Sequence, residues 1–142
     1  MLPYRFFLAE DDLDDRDFFR DGLLASGVDM TLLSHYETGK EVLEQLERHG
    51  NLLPDFIILD QNMPVMTGEQ ALQEIKADPR YSRIPVVIYS TSIIGNDILR
   101  LIKKGALCVE EKPGNFYSYK EMIDRIMSQV DIRIGLNAKL AA

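Results

Sequence analysis

Four side chains that could move a phosphoryl group stand where apolar runs of this chain stop. Phe56-Ile57-Ile58-Leu59 ends on Asp60, and Pro64 four residues later forbids the run from continuing as a strand. Tyr4 to Ala9 ends the same way, on Glu10-Asp11-Asp12. Strands that stop on acids predict one acidic pocket at the carboxyl edge of a sheet, where an open α/β sheet places its ligand. Carboxylates crowded there raise each other's pKa and cost stability, and a hard cation relieves that repulsion. Oxygen-only ligands select Mg²⁺ or a similar ion such as Mn²⁺, held by Glu10, Asp11 and Asp60. Asp12, next along, is expected to point the other way. Ser90 ends a further apolar run with a hydroxyl, and Lys112, stiffened by Pro113, follows another as a compact positive charge. A carboxylate nucleophile at Asp60, a cation, a hydroxyl and an ammonium make a phosphoryl-transfer set. Each residue alone has an ordinary explanation as a solvated acid, a turn hydroxyl or a surface lysine. Their joint position at strand ends carries the reading.

The elements that must hold them follow from hydrophobic period and turn chemistry. After the first acids, Asp14 to Ser26 is expected to be helical, with Phe18, Phe19, Leu23 and Leu24 on one stripe. Asp14, Asp15 and Asp17 sit in its first turn, where the dipole favours acids, and Gly27 ends it. Met30 to Tyr36, with Leu32 and Leu33, reads as a strand. Thr38-Gly39-Lys40-Glu41 is a capping box for a helix buried through Val42, Leu43 and Leu46 and ended by Gly50. After Phe56 to Asp60, Thr67-Gly68-Glu69-Gln70 repeats the box for a helix burying Ala71, Leu72 and Ile75, stopped at Asp78-Pro79. Pro85 to Tyr89 is a fourth strand. Asp97 to Lys104 is a helix with Ile98, Leu99, Leu101 and Ile102, and Gly105 ends it. Ala106 to Val109 is a fifth strand, leading into Glu110-Glu111-Lys112-Pro113-Gly114. Ser118-Tyr119-Lys120-Glu121 reads as a third box, opening a helix with Met122, Ile123, Ile126, Met127 and Val130. Asp131 to Ala142 reads as a tail without a core of its own. Five strands alternating with five helices predict an α/β fold, a doubly wound parallel sheet covered on both faces by right-handed crossovers.

Composition narrows the partners. At 142 residues the chain predicts one domain, 1–142, with its core at about 4–130. A net charge of −7 without a basic stripe argues against nucleic acid as a direct partner. No apolar stretch approaches the length of a membrane span, no signal peptide is visible, and the single cysteine suits a reducing compartment, so a cytoplasmic location is expected. Cys108, in an apolar run, reads as a small buried hydrophobe. His35 and His49 have no ligand-spaced partners and read as ordinary surface or strand-end residues. Thr38-Gly39-Lys40 lacks the earlier glycine and the following hydroxyl of a phosphate loop. Tyr81, Tyr117 and Tyr119 are too scattered to make a stacking platform.

With those residues in view, the chain resembles a two-component response-regulator receiver domain, the family of the bacterial chemotaxis regulator. The likeness covers roughly residues 4 to 130. Glu10-Asp11, Asp60, Asn62-Met63-Pro64 with Gly68, Ser90 and Lys112-Pro113 match the family's motifs in order and spacing. The resemblance implies a flavodoxin-like sheet in the order 2-1-3-4-5. It also implies Asp60 as acceptor of a phosphoryl group from a sensor histidine kinase, a histidine phosphotransfer protein or a small phosphodonor. Asp11 and Asp60 would bind Mg²⁺ directly, Asn62 through its backbone carbonyl and Glu10 through water. Ser90 and Lys112 would hold phosphoryl oxygens, and Asn62 and Ser92 would tune hydrolysis of the aspartyl phosphate. In the family, Ser90 and the helix after strand four move on phosphorylation, shifting the surface that a downstream protein reads. Asp14-Asp15-Arg16 is similar to stand-alone receivers that serve phytochrome-type kinases. The resemblance leaves homodimerisation open.

Three positions depart from the family pattern. Val109 replaces the switching aromatic common on strand five. Glu110-Glu111 put charge where that strand is usually apolar, which either shortens it or brings acid near the pocket to weaken phosphate binding or pair with Lys112. Gly114 stands where a large apolar residue is common. They motivate one alternative, a degenerate receiver acting as an unphosphorylated interaction module. An enzyme is not expected beyond self-phosphorylation and slow dephosphorylation. A phosphatase with an aspartate nucleophile wants a second acid at position 62, where this chain has Asn62.

Overall fold

The computed structural model describes residues 4–29, 33–49 and 52–141. The elements run β1 (Phe6–Ala9), α1 (Leu13–Ala25), β2 (Leu33–Tyr36), α2 (Gly39–His49), β3 (Phe56–Asp60) and α3 (Gly68–Ala77). They continue through β4 (Val86–Ser90), α4 (Asp97–Lys103), β5 (Cys108–Glu111) and α5 (Phe116–Ala141). The sheet is parallel throughout, in the order β2-β1-β3-β4-β5, as the resemblance implied. Its three central strands are buried at every position, which is why they read as unbroken apolar runs and not as alternating ones. Two apolar layers flank it. One packs Phe7, Ile57, Leu59, Val86 and Ile88 against Val42, Leu46, Leu72, Ile75 and Leu101. The other packs Phe6, Leu8, Ile58, Val87 and Tyr89 against Phe19, Leu23, Tyr119, Met122, Ile123 and Ile126.

Register brings the strand ends together. Ala9 lies opposite Leu59, so Glu10 emerges beside Asp60. Asp60 pairs with Tyr89, and Ser90 with Glu111, so Lys112 leaves the sheet one residue further on. Among the described residues no helix is long and apolar enough to cross a membrane.

The structure corrects several boundaries. Asp12 is the N-cap of α1, its carboxylate accepting from Asp15 N at 2.9 Å, so it does point away from the pocket. Within α1 only Phe19, Gly22 and Leu23 are buried. Phe18 and Leu24 are exposed, because Gly22 lets α5 approach closely and narrows the stripe to that face. β2 is described from Leu33 onward, and the expected strand residues 30–32 and the stop at Gly50 lie outside the described residues. The box at Thr67 and Gln70 is formed in both directions. At α2 only half of it is: Thr38 accepts from Glu41 N, while the Glu41 carboxylate reaches Glu37 N instead. The box at Ser118 does not exist. Phe116 already begins α5, and the Asn115 side chain accepts from Ser118 N. In α4, Ile98, Leu99 and Ile102 are exposed and Leu101 alone is buried, since seven residues reach the sheet through a single side. Residues 131–141 are not a loose tail but the continuation of α5, with Ile134 packed on the second layer.

Candidate phosphoryl-transfer site

Charge is densest where β1, β3 and β5 end. The carboxylates of Glu10, Asp11 and Asp60 each bring an oxygen within 4.8 Å of the others. Glu10 and Asp60 are buried, at 1% and 2% exposure, and Asp11 faces solvent. The expected ammonium is among them: Lys112 Nζ lies 2.8 Å from Glu10 Oε1, 2.9 Å from Asp15 Oδ2 and 3.2 Å from Asp60 Oδ1, with its side chain 6% exposed. Burial raises the Asp60 carboxyl to about 8, and its hydrogen bond and repulsion with Glu10 push the same way. Burial also acts to raise Glu10, but bonds from Asp60, Lys112 and the Tyr89 hydroxyl outweigh it and hold it below its ordinary value. The two carboxyls therefore titrate together, Asp60 pushed up and Glu10 held down. Lys112 is held above the usual lysine value: burial opposes its charge, and bonds from Glu10 and Asp15 more than offset that.

A carboxyl pushed up by burial and by a second carboxylate is a place where a divalent cation fits. The donors are all oxygen, two are sequestered, and added positive charge would favour their ionised forms. Glu10, Asp11 and Asp60 are the residues that would hold it, as their placement on the strands predicts.

The other expected residues lie on the α4 side of this cluster. Asn62 N donates to Asp60 Oδ1 at 3.2 Å, and the Ser90 hydroxyl donates to the Ser92 carbonyl at 3.2 Å. Asn62, Ser90 and Ser92 line one cleft of about 290 Å³ with Gln61 and Arg100. Val109 is half-buried against the first layer. β5 is not shortened by its acids: it runs through Glu111, two residues beyond the expected end. Strand alternation sends Glu110 to Arg125 at 2.9 Å and Glu111 to Ile93 N at 3.2 Å. Neither meets Lys112, so the acids stay out of the pocket. Cys108 is half-buried, its thiol pushed up to about 12 by burial.

Three contributors were not assigned from the sequence. Asp15 reads as a helix-dipole acid, yet its carboxylate holds Lys112. Tyr89 reads as one apolar residue of a buried run, yet its hydroxyl donates to Glu10 Oε1 at 2.6 Å. His35 lies beside the Glu10 carbonyl, with Nε2 at 2.9 Å, and Arg16 Nη1 lies 3.2 Å from Nδ1. A guanidinium can only donate, so Nδ1 accepts and Nε2–H bonds the carbonyl. His35 is thus a strand-end residue, as expected, and it fixes the backbone of the pocket. The side chain of His49 lies outside the described residues.

The loop after β3 is braced from below. Met66 N bonds the Pro64 carbonyl at 2.7 Å across Val65, whose φ of 69° is strained for a β-branched residue. Gly68 then packs against the end of β3: a Cβ there would stand 2.6 Å from the Asp60 carbonyl oxygen. Gly68→Ala is expected to cost about 1–3 kcal/mol of stability, because the obstacle is backbone and cannot rotate away. Urea denaturation measures this, and an unchanged midpoint would show that the loop yields.

Residues 6–124 match the family model described as the response regulator receiver domain. Response regulator Rcp1 of Synechocystis sp. is 29% identical over 130 residues, covering 89% of this chain and 88% of that protein. The crystal structure of the Mn²⁺-bound form of response regulator Rcp1 superposes with a TM-score of 0.76 at 29% identity, covering 89% of this chain and 93% of that one. The phosphorylated cyanobacterial phytochrome response regulator RcpA gives 0.75 at 30% identity, with 88% and 91% covered.

Proposed function

The chain belongs to the response regulator receiver domains and serves phosphorylation-dependent two-component signalling, and from that premise we propose that Asp60 is its phosphoacceptor. The observation that carries this is Lys112 Nζ 3.2 Å from Asp60 Oδ1, inside a cluster of three carboxylates that share 4.8 Å. Asp60 reacts as its carboxylate, any proton held between it and Glu10 passing to solvent. One of its oxygens then bonds to phosphorus as the donor's P–N or P–O bond breaks, the electron pair leaving with the donor. Lys112 transfers its hydrogen bonds from carboxylates to phosphoryl oxygens, and the Ser90 hydroxyl turns from the Ser92 carbonyl toward the same group. Glu10, Asp11, Asp60 and the Asn62 carbonyl would hold Mg²⁺, or Mn²⁺ in its place, which would supply charge neutralisation. Asn62 and Ser92 border the cleft through which water would reach the acyl phosphate, and so set its lifetime. Val109, half-buried beside α4, repacks without an aromatic flip.

The donor is a sensor histidine kinase or a histidine phosphotransfer protein in the cytoplasm. The output is a protein contact or onward phosphotransfer, with no turnover of free phosphate esters. The test is incubation with Mg²⁺ and acetyl phosphate. One phosphoryl mass is expected on Asp60, acid-stable and base-labile, and absent when EDTA replaces Mg²⁺. Steady phosphate release from a free ester would indicate a phosphatase, and no adduct at all an unphosphorylated interaction module.

A further inference from the structure

Tyr89 sits where strand alternation asks only for an apolar residue. It lies on the second layer of the core, fully buried, its ring edge-on to Phe19 at 5.3 Å between centroids. Phenylalanine would fill that space equally well, so the hydroxyl is not there for packing. A buried phenol costs stability unless it is bonded, and this one spends its bond on the Glu10 carboxylate at 2.6 Å. Its ring also lies beneath the Lys112 ammonium, 4.9 Å from centroid to Nζ. One residue therefore touches both the most buried acid of the pocket and the pocket's cation.

Glu10 has four partners at rest. Oε1 takes the Tyr89 hydroxyl and Lys112 Nζ, Oε2 accepts from Asp12 N at 3.2 Å, and the Asp60 carboxyl is hydrogen-bonded to it as well. Phosphoryl transfer requires Lys112 to leave for the phosphoryl oxygens. Once Lys112 has left and Asp60 is bonded to phosphorus, the phenol is the one short side-chain hydrogen bond that Glu10 keeps. We propose that Tyr89 is a positioning residue for the cation site, holding the Glu10 carboxylate aimed at the cation while Lys112 is engaged elsewhere. The inference rests on the reading that Glu10, Asp11 and Asp60 hold a divalent cation. It adds a requirement on β4 that the acids alone do not contain. Tyr89 touches neither phosphorus nor its donor, and acts only through Glu10.

The experiment is Mg²⁺ titration of the full chain by calorimetry, wild type against Tyr89→Phe, with Glu10→Gln and the double variant completing a cycle. Losing a charge-assisted hydrogen bond is expected to weaken Mg²⁺ binding about tenfold in Tyr89→Phe. The same substitution in the Glu10→Gln background should change little, because the carboxylate it aims at the cation is gone and a neutral carboxamide is a weak ligand wherever it points. Phosphorylation by acetyl phosphate should need more Mg²⁺ to reach half its rate, while the plateau at saturating Mg²⁺ stays that of wild type. A tyrosine that merely packs would lower the urea midpoint and leave Mg²⁺ affinity unchanged, which would overturn the proposal. Equal losses in both backgrounds would overturn it too. Wild-type protein that takes up no Mg²⁺ would instead overturn the cation reading itself, and this proposal with it.

Discussion

Asp60→Asn is expected to abolish the phosphoryl adduct and, in the absence of divalent cation, to make the protein more stable relative to wild type as pH rises. The first effect is chemical: a carboxamide has no anionic oxygen to bond phosphorus, although it keeps the shape of the side chain and can still accept from Asn62 N, as Asp60 does at 3.2 Å. The second follows from linkage. In the folded protein Asp60 holds its proton up to about 8, raised by burial and by Glu10, whereas an unfolded chain releases it near the ordinary carboxyl value of about 4. Between those limits the native state binds the extra proton, so wild-type stability from this group is complete below about pH 4 and is lost as pH climbs toward 8. The carboxamide of the variant cannot titrate, so its advantage should grow across that window. At about 1.4 kcal/mol for each pH unit, and with the shift divided between two carboxyls, about 2–3 kcal/mol at pH 8.5 is the expected scale. Urea denaturation in EDTA at pH 5.5 and 8.5 measures it. A difference between variant and wild type that does not widen with pH would mean that Asp60 is already charged in the resting protein. Mg²⁺ should close the gap by stabilising wild type alone.

That coupling of acceptor to neighbour was legible in part. Strand ends announce themselves in sequence, because an apolar run buried on both faces cannot continue through Asp60 or through Glu10-Asp11. Three elements at one edge then fix a pocket before any coordinates exist. The strand order came with the family resemblance that the residues around Asn62, Gly68, Ser90 and Lys112 carry, since periodicity alone does not decide it. What stayed hidden depends on a side chain having two uses. Tyr89 continues an apolar run, so its hydroxyl is invisible until Glu10 is found 2.6 Å away. Asp15 is one of several acids in a first turn, and only the packing of α1 on α5 selects it to meet Lys112. Val130 closes the regular apolar stripe of α5, yet the helix continues. Residues 131–141 alternate polar residues or glycine with apolar ones, a period that hides a helix, and Ile134 packs on the second layer. The exposure of Ile98, Leu99 and Ile102 had no sequence signal either, since a seven-residue helix carries too few turns to show which side is covered.

Lys112→Ala tests the opposite charge, and its expected effect on stability is the larger. The ammonium contacts Glu10, Asp15 and Asp60 at 2.8, 2.9 and 3.2 Å, in a position where its side chain is only 6% exposed. Removing one partner of a buried ionic cluster leaves the others uncompensated, which typically costs about 3–5 kcal/mol. The carboxylates can escape that cost only by taking protons. The loss should therefore be small near pH 5, where Glu10 and Asp60 can both be neutral, and full at pH 8.5. The sign agrees with the wild-type shifts. Lys112 is raised, so its contribution is complete throughout this range, while Glu10 is lowered, so its contribution is present at pH 8.5 and fades as acid is added. A divalent cation replaces the missing charge, so Mg²⁺ should recover most of the stability and bind the variant more tightly than wild type. It should not recover function, because the ammonium that meets the phosphoryl oxygens is gone and only the neutral Ser90 hydroxyl is left to donate, and adduct formation from acetyl phosphate should slow at least tenfold, or about 1.4 kcal/mol. Lys112→Arg is expected to rescue neither property fully, since a planar guanidinium cannot reproduce one compact ammonium shared among three carboxylates. If Lys112→Ala were as stable as wild type at pH 8.5 in EDTA, the carboxylates of the resting pocket would be largely protonated already, and the cluster would not be the charged site that binds the cation.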